Sequence, residues 1–479
     1  PNIIMDGRQR YQDYGPWIWL AGSYPHPTST DEQPESFIPF PDLHFDRVSA
    51  DRERYTAYRY RIRDYCPPEL MPGFIGHQTD RFNTLGQHIR EPFRRRDFDY
   101  LGYKYSLISS IAYGGLNNVI NMIPARDPEE YRLFPKKDIA FFKGWLHWTK
   151  THRQYLKHTM PILGQPAVGK VDGTSAILNN EGYIFLVNPN GRAMNARFTL
   201  DSSIGLASKG RYVIRELYPD NGRWIGKQGS GYWQHGDRMS IPMDGARARV
   251  LQIVPFSKED AHPLLFNADG TARVEGRTLE LRDVQGQIGT HSKAMVWLPG
   301  RKRIGNLQVN GQPRTFHQRG HLVTFDLHFA GTPFHHMQQA GTYDSSFTGG
   351  TYTAQFTIPK WVFTQLKKRQ QRYPIPWTKA DHDTPWLVTN RLPLFVQIAE
   401  PSDTMQVKMT LNGEPVKLTK AYSSVRPHAR DFVGFYVDCT GLKPGKTYHV
   451  QLHLPKLQAG QFQGLFFNNV VTGYTHKIK

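Results

Sequence analysis

Three acidic residues stand where carboxylates can do chemistry. The stretch IIMDG closes a hydrophobic strand pattern on Asp6, and Gly7 lets the chain turn behind it. DYCPPELMPGFIGHQTDR sets Glu69 and Asp80 on either side of the apolar run Gly73-Phe74-Ile75. A parallel sheet or barrel delivers groups at its strand ends into one shared cleft. Two carboxylates facing each other across a sugar ring cleave a glycosidic bond, one as acid and base, the other as nucleophile or base. Strand-end acids serve as often as caps or ion-pair partners, so the pair needs company.

That company is aromatic and amide-rich. After Asp6 and Arg8, YQDYGPWIWLAGSYPHPTSTDEQPESF collects Tyr14, Trp17, Trp19, Tyr24 and His26 among Gly and Pro. Sugars present apolar C–H faces that lie on rings, and hydroxyls that demand directional partners. A loop of this composition is either a carbohydrate platform or a small local core. His77, Gln78, Asp80 and Arg81 crowd behind an apolar strand, where unpaired polar groups would cost free energy; Arg81 can also grip a carboxylate or sulfate with two parallel N–H donors. GGLNNVIN adds Asn117, Asn118 and Asn121, as further hydroxyl partners or as a polar turn.

The elements that must position these groups change character along the chain. YKYSLISSIAYGGLNNVINMIPA reads as an amphipathic helix, Tyr103 to Tyr113, then a short buried strand around Val119 to Ile123. DIAFFKGWLHWTKTHRQYLKHT places Ile139, Phe142, Trp145, Leu146, Trp148, Tyr155 and Leu156 at helical spacing, and its basic end suits the negative pole of the helix dipole. Helices alternating with strands imply a parallel sheet over residues 1–165. Beyond 166 the period becomes two: TSAILNNEGYIFLVNPNGRAMNARFTL and RYVIRELYP alternate between turn signals, which is antiparallel sheet. The expected modules are a β-sandwich over 166–256, a β-rich domain or insertion over 257–358 and a C-terminal β-sandwich over 359–479. LQVNGQPRTF and MTLNGEPVKL each read as strand, Asn-Gly turn, strand. PKWVFTQLKKRQQRY, Pro359 to Tyr373, is the one long helix expected after 166, with Pro at its start and basic residues at its end. The fold class is α/β plus all-β.

Composition narrows the classes. With 479 residues, 39% hydrophobic, the chain can bury two to four cores. No apolar run approaches the length of a membrane span. Opening on a strand pattern without Met, the chain reads as one that starts inside a domain. Two cysteines, Cys66 and Cys439, make neither a disulfide scaffold nor a thiolate metal site. His335-His336 lacks metal-motif spacing, and no phosphate-binding Gly-rich loop or Gly-x-Ser-x-Gly elbow occurs, so neither metal nor cofactor is expected and no nucleic-acid partner is assigned. Lys and Arg number 60 against 41 Asp and Glu, a net charge of +19. By segment the balance is 22 against 19 over 1–165, 21 against 15 over 166–358 and 17 against 7 over 359–479, so the excess lies late. Such a field attracts nucleic acid, anionic lipid or anionic polysaccharide alike, and equally suits a soluble surface with no specific partner; a sulfated or uronic glycan fits it, and the cellular setting stays open, with a secreted, periplasmic or cell-surface one favoured.

Asp-Gly with its aromatic loop, the late helix and then DGTSAILNNEGYIFLVNPN together resemble the C-terminal half of glycoside hydrolases related to the α-galactosidases, the melibiase-like superfamily. GYIFLVNPN, residues 182–190, is the most specific piece and is similar to the first sandwich strand after the barrel in that superfamily. The resemblance covers about residues 1–256. It implies that residues 1–165 hold the later strands of a (β/α)8 barrel, whose upstream part comes from the same or another chain. It further implies an Asp nucleophile, matched by Asp6, and an Asp acid/base two strands on, matched in position by Asp80. The Lys-x-Asp strand and the Cys-rich acid/base segment that members carry are absent. An enzyme hydrolysing a glycan and a non-catalytic carbohydrate-binding or structural protein on that scaffold both follow.

Overall fold

The computed structural model describes residues 107–109, 111–112, 136–164, 170–188, 190–219, 222–245, 247–256, 262–335, 337–372, 392–399, 401–402, 404–422, 432–467 and 473–479, and the backbone of four earlier strands. Two of these, Pro72–Gly76 and Asn117–Asn121, pair in parallel from Pro72 opposite Asn117 to Gly76 opposite Asn121. A parallel pair needs a crossover, and the connection carries helical residues 107–109 and 111–112, with Leu107, Ile108, Ile111 and Ala112 fully buried. The expected strand at 119–123 thus begins two residues earlier. The helix Lys136–Thr151 and a short turn of helix, Arg153–Leu156, occupy the segment whose apolar spacing predicts them.

The chain then turns to antiparallel sheet. Asp172–Leu178, Glu181–Asn188, Arg247–Pro255 and Arg211–Tyr218 are neighbours in one layer, faced by the pair Met194–Thr199 and Arg238–Met243. Ile184, Leu186, Tyr212, Ile214, Leu251 and Ile253 meet Ala196, Phe198, Met239 and Ile241 between the layers. Glu181–Asn188 is buried from its second residue to its last. Alternation is lost there because both faces are covered: Ile184 and Leu186 enter the core, while Tyr183 and Phe185 meet the aromatic side of the long helix.

Hydrogen bonding runs across both module limits expected from sequence. The two-residue strand Trp224–Ile225 pairs with Arg211–Tyr218 on one side, and on the other Trp224 lies parallel to Phe266 of Leu264–Phe266. Through His291–Trp297, Leu322–His328 and His317–Arg319 this becomes a sheet of eleven strands spanning residue 256. Its second half packs Val296, Phe325 and Leu327 on Leu279, Leu281, Leu307 and Val309 of an opposing sheet. Gly350–Thr357 pairs along its whole length with Thr447–Leu454, so it joins the last sandwich, whose core includes Phe334, Ala340, Phe356, Leu394, Val450 and Phe467. The helix Lys360–Arg372 follows Pro359 and buries Val362 and Leu366 in that core. The C-terminus returns to the middle module, with Tyr474 and Thr475 pairing with Gln287 and Gly286. Both Asn-Gly turns occur, with Asn310 and Gly311 at φ 50° and 77° and Asn412 and Gly413 at 53° and 86°, the left-handed pair that a type I′ hairpin requires.

Candidate functional site

The C-terminal end of the parallel pair is where an α/β sheet gathers its chemistry. His77 and Gln78 follow Gly76 in sequence, but they lie outside the described residues, as do Asp6, Arg8, Trp17, Trp19, Tyr24, His26 and Glu69. Asp80 and Arg81 open the strand Asp80–Phe82, which pairs with His88–Arg90 and sets Asp80 opposite Arg90 and Arg81 opposite Ile89. Asn117 and Asn118 sit opposite Pro72 and Gly73, at the start of the pair. At roughly 3.3 Å per residue they stand about 10 to 13 Å from the end that His77 follows. Asn121, opposite Gly76, is the asparagine at the end that His77 follows.

An aromatic lock fixes the helical region onto the first sandwich. Trp148 stacks on His152 with centroids 4.4 Å apart, and meets Tyr183 edge-on at 4.7 Å. Phe141 and Trp145 reach Tyr218 at 5.8 and 6.3 Å. Carbonyl oxygens only accept, so the 2.7 Å contact from His152 Nδ1 to the Trp148 carbonyl places a proton on that nitrogen. The Tyr155 hydroxyl donates to Glu181, which together with burial raises its pKa. Tyr183 is pushed up to about 12, first by burial and then by the nearby Tyr155 and Glu181. The Thr174 hydroxyl donates to the Ala112 carbonyl, tying the first sandwich strand to the helical residues inside the parallel crossover.

A buried ion cluster lies one strand further along. Glu216 is 0% exposed; Arg223 Nη2 is 2.5 Å from one carboxylate oxygen and Arg249 Nη1 3.2 Å from the other. The Arg249 contact lacks hydrogen-bond alignment and is an ion contact alone. Arg215 lies opposite Trp224 on the neighbouring strand, its guanidinium 5.7 Å from the indole centroid. Sequence reading passed over this cluster, though the parity of RYVIRELYP signals it: Tyr212 and Ile214 face the core, so Glu216 must too. Among the described residues no group of three or more His, Cys, Asp or Glu is arranged to hold a metal ion.

No family model matches the chain, and no curated protein does. Among solved structures it is similar to an α-amylase from Geobacillus thermoleovorans at 16% identity, over 45% of this chain and 46% of that one, with a TM-score of 0.28. It is similar to α-galactosidase I from Mortierella vinacea at 14% identity, over 34% and 36%, with a TM-score of 0.22. A third match is a β-L-arabinopyranosidase from Geobacillus stearothermophilus at 10% identity, over 46% and 44%, with a TM-score of 0.27. All three names are those of glycoside hydrolases, and the chain spans less than half the length of each.

Proposed function

We propose that the chain is the later part of a glycoside hydrolase, with Asp6 as nucleophile and Asp80 as acid/base, and Glu69 as the other candidate carboxylate. The observation that supports this reading most is the order of architecture: parallel strands, a helix-bearing crossover, a long helix, then an antiparallel sandwich entered through DGTSAILNNEGYIFLVN. That is the order the sequence resemblance implies for a barrel followed by its sandwich. In this reading residues 1–165 supply later barrel strands and take the rest from the same or another chain. Trp17, Trp19, Tyr24 and His26 line the sugar site with Arg8, His77, Gln78 and Arg81. The basic excess after residue 359 draws in a sulfated or uronic chain, in a secreted, periplasmic or cell-surface setting.

Hydrolysis would proceed by attack of the Asp6 carboxylate on the anomeric carbon while Asp80 protonates the leaving oxygen; water, giving its proton to Asp80, then attacks the same carbon and releases Asp6. A carboxylate separation of about 5 to 5.5 Å gives retention, and about 6.5 to 9.5 Å inversion. The test is turnover by Asp6→Asn on aryl glycosides and on sulfated and uronic polysaccharides. Loss of several orders of magnitude with an unchanged melting temperature is expected, because the variant abandons the transition-state charge and nothing in the ground-state fold. An active Asn variant removes Asp6 from the mechanism. Glycan binding by the parent with no hydrolysis of any substrate favours the non-catalytic alternative, which the missing Lys-x-Asp strand also supports.

A further inference from the structure

Two histidines meet face to face on the outer surface of the middle module. His291–Trp297 and Leu322–His328 pair antiparallel, and their ends set His291 directly opposite His328. Lys479 N–H donates to the His328 carbonyl at 2.8 Å from the side away from His291. Two residues on from His291, the Lys293 carbonyl accepts from Gln228 at 3.1 Å on the side away from His328. The pair is therefore one of the non-hydrogen-bonded pairs of the ladder, where opposite Cα atoms stand about 4.5 Å apart and side chains come closest. Leu327 and Phe329 flank His328 and are buried in the module core, so both imidazoles stand on the exposed face. Their rings are stacked, with centroids 4.3 Å apart and planes 21° from parallel.

One ring is also held from its far side. Asp326, the diagonal neighbour of His291, places its Oδ1 3.0 Å from His291 Nε2. An ionised carboxylate only accepts, so Nε2 carries the proton and the neutral ring keeps a lone pair on Nδ1. Metal-binding histidines are oriented in this way, with the nitrogen away from the ion donating to a carboxylate. The His328 ring has no hydrogen-bond partner among the described residues, so either of its nitrogens is available. Lys293 lies opposite Asp326, and Lys479 lies beside His328. Both lysines are exposed, and a four-carbon stem lets each ammonium group stay in water.

We propose that His291 and His328 chelate one late first-row divalent metal ion, copper(II) more tightly than zinc(II), with water completing its coordination. Imidazole suits these ions, and affinity for a nitrogen site peaks at copper. Metal–imidazole bonds are about 2.0 to 2.1 Å long, so two nitrogens at a right angle on one ion stand about 3 Å apart. The rings already touch, and the broad χ2 well of histidine lets each turn a nitrogen to that distance. Two protein ligands, in place of the four of a structural zinc centre, make this a surface site that exchanges its ion. An ion there would link two strand ends at a pair that no ladder bond joins. The site uses no residue assigned to hydrolysis, so it stands or falls apart from that activity.

The chain has 20 histidines, so the test must read its tightest site. Calorimetric titration of the full chain with Cu2+, Zn2+ and Ca2+ should show Cu2+ bound about tenfold or more tightly than Zn2+, with Ca2+ displacing neither. At half an equivalent of Cu2+, electron spin-echo envelope modulation should count two imidazoles on the ion. His291→Tyr and His328→Tyr keep an aromatic ring at each exposed position and remove its metal ligand. Each should weaken Cu2+ binding about tenfold or more, and the double variant little further, because either loss breaks the chelate. Zn2+ should raise the thermal midpoint of the parent and leave that of both variants unmoved. Asp326→Asn, which keeps both ligands, should weaken Cu2+ binding about tenfold. Unchanged Cu2+ affinity in folded His328→Tyr or in Asp326→Asn, a single imidazole on the ion in the parent, or Ca2+ outcompeting Zn2+ overturns the proposal.

Discussion

Replacing Glu216 with Gln tests what the ion cluster does for the fold. The substitution keeps the size and the backbone bonds from Glu216 to Gly222 and Arg223, and removes one buried charge that faces two guanidinium groups. Breaking a buried pair by deleting one partner costs about 3 to 5 kcal/mol, because the remaining charge has lost both water and counter-ion. Arg223 keeps 26% of its side-chain surface in solvent and Arg249 11%, so both recover some hydration, which puts the expected loss near the lower end, about 3 kcal/mol. For a cooperative unit of sandwich size, about 60 to 100 residues, that is a fall of about 12 to 24 °C in the thermal midpoint. Scanning calorimetry gives the midpoint, and urea titration followed by tryptophan emission gives the free energy. The double variant Glu216→Met with Arg249→Met should recover part of the loss, since apolar side chains of similar volume replace buried pairs at little cost. A Glu216→Gln protein within about 0.5 kcal/mol of the parent, the range of an ordinary surface change, would refute the reasoning.

Other tests address separate features. Tyr183 is 4% exposed and its pKa is pushed up to about 12 from 10.0. The folded chain therefore holds the phenol proton while the unfolded chain releases it, and stability present below pH 10 is lost as pH rises towards 12, by about 2 to 3 kcal/mol at most. Tyr183→Phe should flatten that alkaline limb in pH-dependent urea titrations, and an unchanged limb would assign it to other groups. The Cys439 thiol is fully buried and burial pushes its pKa well above the usual thiol value. Iodoacetamide at pH 8 should leave Cys439 unmodified in the native protein and label it in urea, as peptide mapping will read; native labelling would mean that the strand end opens. Asn412 holds φ 53° and its side-chain oxygen accepts from His449 N–H at 2.8 Å. Asn412→Ala should cost about 1 to 2 kcal/mol for the left-handed backbone alone, whereas Asn412→Gly should be milder, a contrast measured by thermal midpoint.

Much of the local structure is legible in the chain because local rules write it. The change from helical to alternating spacing near residue 166, the two Asn-Gly hairpins and the helix behind Pro359 each depend on residues within a few positions of one another, and each is present. The buried acid in RYVIRELYP could have been read from strand parity as well. The direction of the strand Asn117–Asn121 was legible in principle, yet which asparagine reaches the business end follows only once its register with Pro72–Gly76 is set.

The amino-acid sequence by itself determined the order of element types, the turns and the late basic excess, since propensity, periodicity and charge are properties of short windows. Tertiary structure alone decided that Trp224–Ile225 bridges two modules, that Gly350–Thr357 belongs to the last sandwich and that the C-terminal strand returns to the middle one. Strands of two residues carry no periodic signal, and their partners lie tens or hundreds of residues away, so the pairing is settled by which hydrogen-bonding edges and apolar faces remain to be covered when the sheets assemble.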